Sequence, residues 1–98
     1  MELKNTSIAG TMESSDIMIT MAPGVGALEI ELTSTVEKQF GREIRRVIID
    51  TLSELDISSA KVTAVDKGAL DCAIRARVRT AAFRAAEATA FTKGGAAK

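Results

Sequence analysis

The chain has 98 residues and a net charge of zero, since thirteen basic side chains balance thirteen acidic ones. This length suits a single domain built around one core. Histidine is absent, which excludes His-dependent triads, His zinc ligands and imidazole acid–base catalysis. The lone cysteine, Cys72, cannot form an intrachain disulfide, no segment has the length of a membrane span, and no basic segment precedes an apolar run near Met1. We therefore expect a cytoplasmic protein.

Three strands are predicted in the first third of the chain, at residues 6–12, 16–22 and 27–33. The third has the cleanest period-two pattern, with leucine and isoleucine on one side and glutamate on the other. Such alternation is typical of an antiparallel sheet with one face in water. The side chains predicted to face the core from the second strand are Ile17, Ile19 and Met21.

A long helix is predicted to follow, because apolar residues recur at three- and four-residue steps over positions 36–55. Charged residues occupy the remaining faces, so the apolar stripe should pack the helix against the sheet. The residues of this stripe are Val36, Phe40, Ile44, Val47, Ile48, Leu52 and Leu55.

The last third of the chain predicts a short strand at 61–65, a tight hairpin at 66–68 with glycine in the left-handed position, and a long strand at 70–79. In that long strand Cys72 falls on the apolar side, where a free cysteine is usually an inert packing residue. The opposite side carries a row of arginines, Arg75, Arg77 and Arg79. From about Thr80 an alanine-rich run favours a second, weaker helix.

These elements predict a two-layer α+β domain. An antiparallel sheet of about five strands packs on one long helix, and the weaker helix lies at the C-terminal end. We expect residues 1–92 to form this single domain and residues 93–98 to form a disordered tail.

Residue chemistry alone does not assign a function. The arginine row is either a solvated strand face or a docking surface for an anionic partner, and without interleaved aromatics it is a weak nucleic-acid site. Ser14 lies in a short polar segment between two apolar runs, and a serine needs a base to act as a nucleophile. Its use would have to be passive, as an acceptor for a group that a separate enzyme attaches.

Four blocks of sequence, together and in order, resemble the acyl carrier subunit (gamma chain) of citrate lyase. The resemblance runs from about residue 6 to residue 79. The blocks are Ala9-Gly10-Thr11-Met12-Glu13-Ser14-Ser15-Asp16, Val36-Glu37-Lys38-Gln39-Phe40-Gly41, Asp66-Lys67-Gly68-Ala69-Leu70-Asp71-Cys72 and Arg75-Ala76-Arg77.

The resemblance implies a non-catalytic carrier with a covalently attached 2′-(5″-phosphoribosyl)-3′-dephospho-CoA group. The register of the first block favours Ser14 over Ser15 as its attachment point. The implied partners are the alpha and beta subunits of citrate lyase, between which acetyl and citryl thioesters are carried, and a prosthetic-group transferase. Neither nucleic acid nor a membrane is implied as a partner.

Candidate docking residues are Glu13, Asp16, Arg75 and Arg77. The acidic pair flanks the serines and would suit a basic transferase surface. Two alternatives remain open: the related carrier subunit of malonate decarboxylase, and a small regulatory or nucleic-acid-binding module that uses Arg75, Arg77 and Arg79.

Overall fold

The computed structural model of the chain describes residues 1–87, with Glu37 described by its backbone alone. The predicted tail at 93–98 and the predicted end of the domain at residue 92 lie outside the described residues. Six elements follow one another: β1 (Ser7–Gly10), β2 (Ile17–Pro23), β3 (Leu28–Ser34), α1 (Glu37–Glu54), β4 (Ala60–Asp66) and α2 (Asp71–Ala86).

The sheet has four strands in the order β1-β2-β4-β3. Strand β2 pairs antiparallel with β1 and β4, whereas β3 pairs parallel with β4. The prediction of an all-antiparallel sheet of about five strands was therefore wrong within residues 1–87. The parallel pair arises because α1 acts as the crossover between β3 and β4, and a crossover of this length returns the chain in the same direction.

One face of the sheet forms the core with the helices. The register aligns Ala9, Ile19, Ala64 and Leu32 across the four strands, and all four side chains are buried. The hydroxyl of Ser7, on the same face, donates a hydrogen bond of 2.6 Å to the carbonyl of Ala81 in α2. The two-layer α+β prediction is confirmed, as is the inward orientation of Ile17, Ile19 and Met21, which have no exposed surface.

Helix α1 follows its predicted apolar stripe over most of its length. The buried members are Ile44, Val47, Ile48 and Leu52, while Val36 and Leu55 pack at the margins. Phe40, expected in the core, is 51% exposed. On the outer face Arg46 pairs with Glu43 and Asp50, a helical spacing that favours such contacts.

Helix α2 replaces the predicted long strand at 70–79, so the prediction for this segment was wrong. Its buried residues are Ile74, Val78, Ala81, Ala82 and Ala85, which recur at the three- and four-residue steps of a helix. Cys72 is exposed rather than packed in the core. The alanine content of this segment gives it high helix propensity, and the alternation of arginine with small residues only imitates a strand.

The predicted hairpin at 66–68 is also wrong, because this segment connects β4 to α2. Asp66 is buried, and its carboxylate accepts hydrogen bonds from the backbone N–H groups of Gly68 and Ala69 and from the hydroxyl of Ser34. Gly68 does adopt the left-handed conformation, with φ of 93°. Among the helices of residues 1–87, none is long and apolar enough to cross a membrane.

Candidate functional site

The candidate site is the loop of residues 11–16, which joins β1 to β2. The last paired residues of the two strands are Gly10 and Met18. Ser14 and Ser15 are both exposed in this loop. The hairpin therefore presents the predicted acceptor serine to solvent at the end of two paired strands.

The loop can close only because its first flanking residue is a glycine. Gly10 has φ of 97°, and a Cβ atom at this position would lie 1.9 Å from the carbonyl oxygen of Ile17. Any other residue would be strained in this conformation and would collide with the backbone. Gly10 thus fixes the path by which the chain leaves β1.

Backbone hydrogen bonds tie the loop to the segment after β4. The N–H of Ser15 donates to the carbonyl of Lys67 at 2.8 Å, and the N–H of Lys67 donates to the carbonyl of Asp16 at 2.8 Å. The N–H of Asp16 donates to the carbonyl of Glu13 at 3.1 Å, which closes a turn around Ser14. Ser15 has a positive φ of 67°, a conformation that persists in a non-glycine residue only when its surroundings hold it.

The carboxylate of Asp16 accepts four hydrogen bonds. Arg77 donates from Nε to Oδ1 at 3.1 Å and from Nη2 to Oδ2 at 2.8 Å. The hydroxyl of Thr11 donates to Oδ2 at 2.6 Å, and the N–H of Ile17 donates to Oδ1 at 2.7 Å. These bonds, above all those from Arg77, hold the pKa of Asp16 well below its usual range and raise the pKa of Arg77.

The predicted docking residues separate into three groups. Asp16 and Arg77 form the ion pair just described, although they are 61 residues apart. Arg75 pairs with Glu54 at the end of α1, 3.6 Å away, and Glu13 is exposed beside Ser14.

Two residues that hold the loop, Thr11 and Lys67, were not predicted from the sequence. Thr11 could have been suspected, since a threonine at the start of a polar loop commonly forms hydrogen bonds with the nearby backbone. Lys67 could not, because it contributes only its backbone groups and the pattern of side chains does not indicate such a contact.

The arginine row of the sequence is divided on the helix. Arg77 reaches the loop, whereas Arg79 donates to Glu54 at 3.0 Å. Each of these side chains, with Arg75, is thus paired with a carboxylate. In residues 1–87 no cluster of His, Cys, Asp and Glu could hold a metal ion.

Chemically, the loop offers a hydroxyl without offering a base. The oxygens of Asp16 are occupied by their four donors, and no hydrogen bond within residues 1–87 joins the exposed carboxylate of Glu13 to Ser14. A hydroxyl in this setting is accessible to an external enzyme but is not activated as a nucleophile.

Comparison with known proteins identifies the family. The profile of the ACP family, described as malonate decarboxylase delta subunit (MdcD), matches residues 4–85. The citrate lyase acyl carrier protein of Oenococcus oeni is 59% identical over 87% of this chain and 88% of its own length. That of Lactiplantibacillus plantarum is 56% identical over 91% of this chain and 93% of its own, and that of Cronobacter sakazakii is 51% identical over 90% and 91%.

The fold has a solved relative. A chain in the crystal structure of a Pseudomonas malonate decarboxylase hetero-tetramer in complex with malonate superposes with a TM-score of 0.70. Its sequence is 16% identical, and the match covers 86% of this chain and 87% of that one, so this likeness concerns the fold alone. From the identity and coverage of the relatives, the chain belongs to the family of citrate lyase acyl carrier proteins.

Proposed function

We propose that this chain is the acyl carrier subunit of a citrate lyase and that Ser14 carries its prosthetic group. The observation that supports this most directly is the exposed Ser14 at the tip of a loop whose two sides are fixed to a rigid sheet. A binding residue on a loop held by a rigid scaffold is a common arrangement for a functional site. The chain is a carrier rather than a catalytic subunit.

The loop fits the proposed 2′-(5″-phosphoribosyl)-3′-dephospho-CoA group. The hydroxyl of Ser14 is open to solvent, so a phosphodiester can be joined to it without displacing a side chain. The charge of the partly buried Asp16 is compensated by Arg77, which limits repulsion of a phosphate two residues away. When bound, the group supplies a terminal thiol on which acyl groups are held.

The contribution of the protein itself is to tether and to orient. Attachment at Ser14 confines the acyl group to the neighbourhood of the complex, at an effective concentration of up to ~1 mM. The backbone bonds between the loop and Lys67 give the attachment point a fixed position relative to the sheet. Each partner active site can therefore meet the arm from a constant origin.

The proposed partners are the alpha and beta subunits of citrate lyase and the transferase that modifies Ser14. Glu13 is exposed beside the serine, and we assign it to contact with a basic surface of that transferase. Arg75 is the remaining docking candidate that does not hold the loop. The proposed location is the cytoplasm, and neither nucleic acid nor a membrane is a proposed partner.

Intact-mass spectrometry after co-expression with the cognate transferase tests this function. The wild-type chain should gain the mass of one phosphoribosyl-dephospho-CoA group. Ser14→Ala should remain unmodified, while the matched control Ser15→Ala should gain the full mass. Modification of Ser14→Ala, or no gain in the wild type, would refute the assignment.

A carrier for malonate decarboxylase is the second candidate, favoured by the description of the matching family model. Identities of 51% to 59% to citrate lyase carriers over most of the chain argue for the first. Reconstitution separates them: the modified chain should restore citrate cleavage to citrate lyase alpha and beta subunits and should not restore malonate decarboxylation to a carrier-depleted decarboxylase.

A further inference from the structure

We propose that Asp16, Arg77 and Thr11 form a positioning device that presents Ser14, and not Ser15, to the modifying enzyme. This inference rests on the proposed role of Ser14. None of the three side chains reacts. They determine where the acceptor hydroxyl stands relative to the body of the protein.

The first step of the argument is a continuous path of contacts from α2 to the residue before Ser14. Arg77 donates two hydrogen bonds to Asp16, and Asp16 accepts a third from the hydroxyl of Thr11. The Thr11 hydroxyl in turn accepts from the backbone N–H of Glu13 at 3.2 Å. The helix thereby constrains the backbone on the N-terminal side of Ser14 through two side chains of the loop.

A second set of contacts constrains the other side. Ser15 donates to the carbonyl of Lys67, and Asp16 accepts from the N–H of the same residue. Ser14 thus lies between one anchor made by side chains and one made by backbone. If the side-chain anchor opened, the loop would pivot on Lys67 and the two neighbouring hydroxyls could exchange their positions.

Apolar packing does not supply this restraint. Met12 carries the one large apolar side chain in the sequence from residue 11 to residue 16, and it is half exposed. Polar contacts therefore have to hold the loop, and bonds to charged groups are the stronger ones. Because Asp16 is largely shielded, with 16% of its side chain exposed, water competes for these bonds less than it does on an open surface.

The helix supplies a matched control. Arg79 lies two residues from Arg77 on α2 and is also paired with a carboxylate, but its partner is Glu54 of α1. Replacing either arginine with glutamine removes one positive charge and one ion pair from the same helix. Only Arg77→Gln releases the loop.

The experiment combines modification kinetics, site mapping and amide exchange on the full chain. Arg77→Gln should lower the kcat/KM of modification roughly five- to tenfold, chiefly through the KM for the carrier. Peptide mass spectrometry should find part of the group on Ser15, and the Ser15 amide should exchange faster than in the wild type. Thr11→Val, which keeps the ion pair, should change all three readouts in the same direction by a smaller factor. Arg79→Gln should match the wild type.

The outcomes separate this inference from the proposed function. Faster exchange in Arg77→Gln with unchanged kinetics and exclusive use of Ser14 would overturn the positioning role while leaving Ser14 as the attachment site. An equal loss of modification kcat/KM in Arg79→Gln would also overturn the positioning role, since both variants would then act through the general stability of α2. No modification of the wild type would overturn the function and this inference together.

Discussion

Asp16 shows how a single side chain can serve the loop and the fold at once. Its carboxylate joins the start of β2, the start of the loop and the middle of α2. The same contacts depress its pKa, with the hydrogen bond to Arg77 as the largest cause. The stability of the protein should therefore depend on pH through this residue.

The sign of that dependence follows from the direction of the pKa shift. A carboxyl group whose pKa is lower in the folded state stabilises the fold above its unfolded pKa, near 3.8, and loses this contribution as the pH falls towards the folded pKa. Asp16→Asn should cost about 1 kcal/mol of unfolding free energy at pH 7, after allowance for the solvent around Arg77. In urea titrations the gap between wild type and variant should be constant from pH 7 to pH 5 and should narrow below about pH 4. A gap of equal size at pH 3 and pH 7 would show that the charge of Asp16 is not responsible.

At the scale of elements, the first two-thirds of the chain could be predicted well from pattern. Strand β2 and helix α1 have apolar periods of two and of three to four, and burial follows these periods at Ile19 and Ile48. The segment of α2 could not be predicted in the same way, because alanine fits both patterns and its arginines alternate with small residues over five positions. Only the packing of this segment against β1, β2 and α1 decides between helix and strand. These contacts join residues far apart in the sequence, so the local pattern does not reveal them.

The site was predictable to a similar degree. A polar loop containing Ser14 between two strands follows from the sequence, and its family resemblance singles out the serine. The pairing of Asp16 with Arg77 does not follow, because it depends on α2 being a helix that passes beneath the loop. A strand at 70–79 would have placed all three arginines on one face.

The junction between β4 and α2 depends on Asp66. Its buried carboxylate satisfies two backbone N–H groups and one hydroxyl, and these donors would lose their partner in Asp66→Ala. Unfolding in urea should show a loss of about 2–4 kcal/mol. The control Asp50→Ala removes a carboxylate that is paired with Arg46 on the helix surface and should change stability little. Equal effects of the two variants would contradict the structural role of Asp66.

At the scale of the whole molecule, the proposed attachment point, Ser14, is separated from the core. The helices cover one face of the sheet, and the core is built from the strands and helices. Thr11, Glu13, Ser15 and Asp16 make the loop contacts, while among the hydrogen bonds of residues 1–87 none involves Ser14. Ser14, the proposed acceptor, is therefore held by the contacts of its neighbours and does not contribute to the packing of the fold.

This separation predicts that modification and folding are nearly independent. Attaching the group to Ser14 should shift the thermal unfolding midpoint by less than about 2 °C, because neither a buried contact nor a hydrogen bond of Ser14 is lost. Scanning calorimetry of the unmodified and modified wild-type chain checks this, with Ser14→Ala as the control for the substitution itself. A shift of more than about 5 °C, which corresponds to roughly 1 kcal/mol for a domain of this size, would mean that the group packs on the protein surface instead of extending freely. A carrier whose arm has to reach separate active sites requires the smaller shift of the unfolding midpoint. Any free energy gained by packing the arm on the carrier would have to be given up each time the arm moved to an active site.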